Sequence, residues 1–260
     1  MCQTPDWSVG DRYLRENVPE LAPLVDRYSP CPLKPKSKEV YFTILLTGII
    51  AQQLPPDVSQ QLMKKLEGLT GNPITPQAVL NASAEDLLSI GLVKQKVDYL
   101  RSFAEAVING SVTMDKFDDM TDSQITKQLM QIRGLGQWTI EMFLLLALCR
   151  TDVVPSADFI FKKELQKMLN LSDIPKRGKI NTLTESWRPW RSLAVWYIWQ
   201  KANERKKITP KAKQNRPSPS AILQIAGKDG FSYSPNIIYC SLITEYYFRL
   251  AIAAAVSSAP

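Results

Sequence analysis

Glu39–Gln53 reads EVYFTILLTGIIAQQ, a run so apolar that a helix built from it must be enclosed on most of its sides, yet it is too short to cross a bilayer. It predicts a central core helix around which the rest of the chain must assemble. Asp57–Leu69 comes next, with Pro56 as a helix start, Gly68 as an end, and Val58, Leu62, Leu66 and Leu69 at helical spacing. Ser83-Ala84-Glu85-Asp86 caps a short helix. Val93–Ile108 keeps Val97, Leu100, Phe103, Ala104 and Val107 on one stripe before Asn109-Gly110 stops it. Thr121 opens another helix toward Met130, and Ile140–Cys149 (IEMFLLLALC) is a second nearly all-apolar helix. Strand-length alternation bounded by turn signals is not found between these segments, so the body is all-α with short connections. At 260 residues the chain fills one large domain or two small ones. Its 45% hydrophobic and 22% charged residues exclude a wholly disordered chain or a rod.

The chain has no histidine, which removes serine-histidine and cysteine-histidine triads and nearly all catalytic zinc sites. Acid-base chemistry falls to carboxylates, lysine, tyrosine or water. Cys2, Cys31, Cys149 and Cys240 are too far apart in sequence for the close spacing of zinc sites, iron–sulfur clusters or redox pairs. The formal net charge is +7, and six of those charges come from Lys201–Arg216, where seven basic residues face only Glu204. The first 200 residues therefore carry a surplus of one, and any DNA-binding claim needs local evidence.

Pro5, Asp6 and Asp11 break the basic-then-apolar order of a secretory signal, so an intracellular protein is expected: in the cytoplasm with the nucleoid if prokaryotic, in the nucleus if eukaryotic. Lys201–Ser220, with Pro210, Pro217 and Pro219, has the texture of a linker. Asn236–Val256 is apolar but contains Glu245 and Arg249. Each central charge costs roughly 2.5 to 3.5 kcal/mol on an insertion scale, which argues for an amphipathic helix and against a membrane span.

Gln131–Phe143, QIRGLGQWTIEMF, joins two helical patterns through Gly134-Leu135-Gly136. A helix beginning at Gln137 points its first backbone amides and positive dipole end outward, and glycines without side chains let a phosphate come close. By itself Gly-x-Gly between helices is usually just a turn. Here, however, the turn leads into the apolar helix and then into Asp152-Val-Val-Pro-Ser-Ala-Asp158. This combination resembles the helix-hairpin-helix (HhH-GPD) DNA glycosylase superfamily, in its DNA-3-methyladenine glycosylase II branch. Ile49-Ile-Ala-Gln-Gln-Leu54, Gly91-Leu-Val-Lys-Gln-Lys96 with Tyr99-Leu100, Trp187-Arg-Pro-Trp-Arg-Ser-Leu-Ala194 and Trp196–Trp199 are similar to further segments of the family. The likeness spans residues 37–202, leaving 1–36 as an N-terminal extension and 203–260 as a basic linker and tail.

The resemblance implies an all-α fold of two helical subdomains with the active-site cleft between them, and a monomer without cofactor that acts on double-stranded DNA carrying alkylated bases. Such enzymes bend the duplex, flip a damaged nucleotide outward and cut its N-glycosidic bond. Asp158 takes the place of the catalytic aspartate, where a fixed negative charge stabilises an oxocarbenium-like sugar or orients the attacking water. The bland reading makes Ser156 a helix N-cap and Asp158 a favourable first-turn acid. Trp138 stands where bifunctional relatives carry a nucleophilic lysine, which implies a monofunctional enzyme. Trp138 and Trp199 are expected to line the base pocket, where aromatic faces favour cationic alkylated bases, and Met142 and Phe159 occupy positions where related pockets carry tyrosines. Gly134, Gly136, Gln137, Trp138 and Thr139 form the phosphate-binding hairpin. Gln53 or Leu54 is the wedge that fills the duplex, or Leu54 merely packs the helix end. Carbonyls of Met130, Ile132 and Gly134 are expected to hold a monovalent cation. The four-cysteine cluster and the leading sheet domain of other branches have no counterpart. The rival readings are a noncatalytic DNA-binding or scaffold protein and a bifunctional lyase.

Overall fold

The computed structural model describes residues 3–208, and every regular element among them is helical. Two helices, α1 (Trp7–Asn17) and α2 (Ala22–Tyr28), precede the apolar run, which forms a 3₁₀ turn over Lys38–Val40 and then α3 (Tyr41–Ala51). Next come α4 (Pro56–Thr70), α5 (Pro76–Asn81), α6 (Ala84–Ser89), α7 (Lys94–Ile108), α8 (Asp122–Leu129) and α9 (Gln137–Leu146). The described chain closes with α10 (Phe159–Met168), α11 (Arg177–Leu183) and α12 (Arg191–Ile208). Ser83 and Thr121 form reciprocal capping boxes with Asp86 and Gln124, as the sequence pattern predicts at the first of them.

The helices pack as two groups around one continuous apolar core. α3 lies against α4, α7 and α9, with α5 and α6 on α7 and α8 on α9; in the other group α10 rests on α12, and α12 on α1 and α2. The segment from Ala147 to Asp158 crosses from the first group to the second. Residues 3–36, expected to stand ahead of the core, complete the second group. Trp7, Leu14, Leu21 and Val25 are buried, the Trp7 indole donates to the Leu33 carbonyl at 2.8 Å, and the Tyr197 hydroxyl donates to buried Asp11. Gly10 is what lets α1 approach α12, since a Cβ there would sit 2.7 Å from both Leu193 and Trp190.

Both apolar runs are longer than the helices they form. α3 ends at Ala51 because Gln52 and left-handed Gln53, with φ of 59°, turn the chain so that the Leu54 amide returns to the Ala51 carbonyl. α9 ends at Leu146 rather than Cys149: the Phe143 carbonyl accepts from both Ala147 and Leu148, and left-handed Cys149 brings the Arg150 amide to the Leu144 carbonyl at 3.0 Å. Ala147, Leu148 and Cys149 are nonetheless buried. An apolar run reports enclosure, and enclosure continues past the last helical turn. The expected linker beyond Ala202 begins as helix, for α12 runs on to Ile208; residues 209–260, with the amphipathic segment expected there, lie outside the described residues.

Candidate active site

The hairpin is set by the geometry of two glycines. Gly134 has φ of +91°, and a Cβ there would meet the Tyr99 ring at 2.5 Å, so the position requires glycine on both grounds. The Leu135 amide closes the turn on the Ile132 carbonyl at 3.1 Å, and the Leu135 side chain is buried as an anchor. Gly136 is the N-cap of α9, with no side chain capping the helix start. Lys94, Gln95, Tyr99 and Arg133 line an open depression beside Gly134, so basic side chains flank the turn.

Beyond α9 and the crossing segment, the chain enters α10 through Asp158. Asp158 is itself the N-cap: its Oδ1 accepts from the Phe161 amide at 2.7 Å. Two indoles donate to the same carboxylate, Trp199 Nε1 to Oδ1 and Trp138 Nε1 to Oδ2, both at 3.3 Å. The alternative in which Ser156 caps this helix does not hold: Asp158 is the N-cap, and the Ser156 hydroxyl donates to Glu141 Oε1 at 3.2 Å. Asp158 has no exposed surface, and the three donors complement the charge that burial would otherwise penalise.

The segment ahead of Asp158 is clamped from α12. Arg191 donates to Asp152 Oδ1 at 2.5 Å and to the Asp152 carbonyl at 2.8 Å, and Ser192 Oγ accepts from the Val153 amide at 2.9 Å. From the hairpin side, Glu141 takes the Ser156 hydroxyl and the Gln137 side-chain amide at 3.0 Å on one oxygen. Its other oxygen, Oε2, is buried without a hydrogen-bond partner among the described residues, and burial raises the carboxyl pKa above its ordinary value. Glu141 and Arg191 are not among the residues the sequence pattern singles out; the one signal is a lone carboxylate inside the otherwise apolar IEMFLLL stretch.

Of the expected pocket residues, Trp138 is half-buried and presents part of its ring beside Asp158. Phe159, the first residue of α10, is also half-buried, with the Lys163 ammonium 6.0 Å from its ring centre. Trp199 is 1% exposed and Met142 has no exposed surface. What Trp199 contributes in this geometry is a grip on Asp158 rather than an open stacking face. A model of the HhH-GPD superfamily of base excision DNA repair proteins matches residues 46–189, which takes in the hairpin, Asp158 and the loop between them.

The chain belongs to the HhH-GPD superfamily. It is similar to DNA-3-methyladenine glycosylase 1 of Schizosaccharomyces pombe, with 28% identity over 204 residues that cover 76% of this chain and 89% of that protein. The alkylbase DNA glycosidase-like protein mag2 of the same yeast is 26% identical over 204 residues, covering 77% and 96%. The structure of the S. pombe 3-methyladenine DNA glycosylase Mag1 in complex with abasic DNA matches with a TM-score of 0.63 and 26% identity, over 75% of this chain and 97% of that one.

Two further HhH-GPD features were expected at the hairpin. Gln53, left-handed and exposed, projects from the end of α3, whereas Leu54 is half-buried against the core with its amide donating to the Ala51 carbonyl at 3.2 Å. Of the carbonyls expected to hold a monovalent cation, Gly134 accepts from the Gln52 side-chain amide at 2.5 Å and Ile132 from the Leu135 amide. A backbone carbonyl oxygen has two lone pairs, and Gly134 and Ile132 each keep one beside the hydrogen bond they accept.

Proposed function

We propose that this HhH-GPD protein is a monofunctional DNA glycosylase of base excision repair that hydrolyses the N-glycosidic bond of alkylated bases, 3-methyladenine-like purines first among them, in duplex DNA. The observation that carries this reading is the Asp158 carboxylate held against the half-exposed Trp138 indole at the end of the segment that leaves the glycine hairpin.

The open N-terminus of α9 offers amides and a positive dipole end to a strand phosphate, and Arg133 and Lys94 add positive charge beside it. With the strand held there, an extruded nucleotide is presented to the Trp138 side of Asp158. The carboxylate has no exposed surface, so the incoming sugar displaces the 3.3 Å contact between Trp138 and Oδ2, while the Phe161 amide and Trp199 keep Oδ1 in place. An N-alkylated purine carries positive charge and departs with the electron pair of its bond to C1′, leaving as a neutral base that needs no proton. The developing oxocarbenium is stabilised by Asp158, water oxygen bonds to C1′, and the water proton passes to the carboxylate or to solvent. A cationic base favours the Trp138 face over its neutral counterpart, which supplies selectivity. A tryptophan at 138 supplies no amine for a Schiff base, in keeping with hydrolysis without strand cleavage.

Incubation of methylated duplex DNA with the protein, with measurement of the free base released, is the test. Free base without a borohydride-trapped protein–DNA adduct supports the reading. A salt-sensitive complex with no free base supports a noncatalytic binder, and a trapped adduct a lyase.

A further inference from the structure

Lys96 lies in α7, away from Asp158, yet its ammonium is directed at the end of α3. Nζ donates to the carbonyls of Ile49 at 2.9 Å, of Gln52 at 2.7 Å, and of Ile50 between them. Carbonyls of the last turn of a helix have no partner within it and form the negative end of its dipole, so a cation there satisfies donor geometry and charge together. Burial pushes Lys96 down to about 8, and no carboxylate contributes to its surroundings. Were packing alone required, an unbranched apolar side chain of the same length would fill the site without the cost of burying an ammonium.

What that cation secures is the turn carrying Gln53. Gln53 has φ of 59°, a strained conformation for a non-glycine residue that persists only where its surroundings impose it. The restraint acts on the residue just before it. Gln52 is gripped through its carbonyl by Lys96 and through its side chain by the Gly134 carbonyl of the hairpin. The projecting residue and the phosphate-binding turn are thereby tied to one another through a single glutamine.

We propose that Lys96 is a positioning residue for the DNA wedge: its grip on the carbonyl end of α3 holds Gln53 and Leu54 in the projecting turn that fills the space left by a flipped base. The inference rests on the glycosylase reading and adds to it a residue that touches neither the lesion nor Asp158. A wedge matters most where a base pair must be broken, and least where the lesion has no partner.

The test compares single-turnover release of 7-methylguanine from two duplexes, one with cytosine opposite the lesion and one with an abasic spacer there. For Lys96→Met, release from the paired duplex falls on the order of tenfold or more, while release from the spacer duplex falls by no more than about threefold, since only the paired lesion must be both unpaired and unstacked. Gln53→Gly shows the same imbalance, and the double variant is no worse than the poorer single one. Should Lys96→Met fail to fold, Lys96→Arg reads the same ratio, because a planar guanidinium keeps the charge but cannot converge on three carbonyls. Equal losses on both duplexes, or wild-type release from the paired duplex, overturn the wedge role. Release of free base by the wild type from neither these duplexes nor randomly methylated duplex DNA overturns the glycosylase reading and this inference with it.

Discussion

α9 and α10 are helices of equal length whose N-termini are capped in opposite ways. α10 begins at an aspartate whose carboxylate occupies its own helix start. α9 begins at a glycine and has no side-chain cap. A helix start attracts an anion in either case. Where the chain supplies the anion, the result is a rigidly held carboxylate with two indoles upon it. Where the chain withholds one, the place is open to an anion of the substrate. In the proposed reaction the pair turns one piece of backbone physics into both a reagent and a handle for DNA.

The comparison is broken most severely at Asp158. Asn caps a helix about as well as Asp, so Asp158→Asn keeps the fold while kcat/KM for base release falls by roughly 10²- to 10⁴-fold. Circular dichroism and single-turnover release together check this. Next in size is Trp199→Phe, which removes one donor from Oδ1 and keeps the ring. Release slows about tenfold with little change in KM, since a hydrogen bond to a charged group is worth roughly 1.5–3 kcal/mol. Gly136→Asp turns the α9 start into a copy of the α10 start. A Cβ at Gly136 meets nothing within 4 Å, so the variant folds and gains up to about 1 kcal/mol from the added cap and charge. DNA affinity nevertheless drops about tenfold as the new carboxylate meets the phosphate, and Gly136→Asn, a neutral cap, loses less. Filter binding against a denaturation curve separates the two effects.

The smallest effect concerns the link between the two helices. Burial holds the Glu141 carboxyl above its ordinary pKa, so the folded protein binds more protons there than the unfolded chain, and the associated stability is lost as pH rises through the folded value. Glu141→Gln cannot ionise and keeps that stability. Its melting midpoint therefore exceeds that of the wild type at pH 7.5, by a margin that closes toward pH 5.

Much of this was legible in the sequence because it resides in side-chain type and spacing. The apolar runs announced α3 and α9, the caps at Ser83 and Thr121 announced α6 and α8, and Gly134-Leu135-Gly136 with Asp158 announced the hairpin and the carboxylate. Missed were the features whose partners are backbone atoms or distant in the chain. Lys96 meets three carbonyls, Gln52 a fourth, and Arg191 a loop 39 residues earlier, and carbonyls leave no mark in a sequence. Ring type alone predicts a base stacker at Trp199 and does not say where its indole N–H points. The N-terminal helices lie outside the family likeness, yet Trp7, Gly10, Asp11 and Leu14 stand at helical spacing along α1.

The proposed hydrolysis depends on one carboxylate, and one paired measurement reaches it most directly. Wild type and Asp158→Asn are given the same methylated duplex, with DNA affinity and the first-turnover rate of base release determined for each. The account predicts near-equal affinity and a release rate at least a hundredfold lower in the variant; unchanged release by a folded Asp158→Asn protein would contradict it.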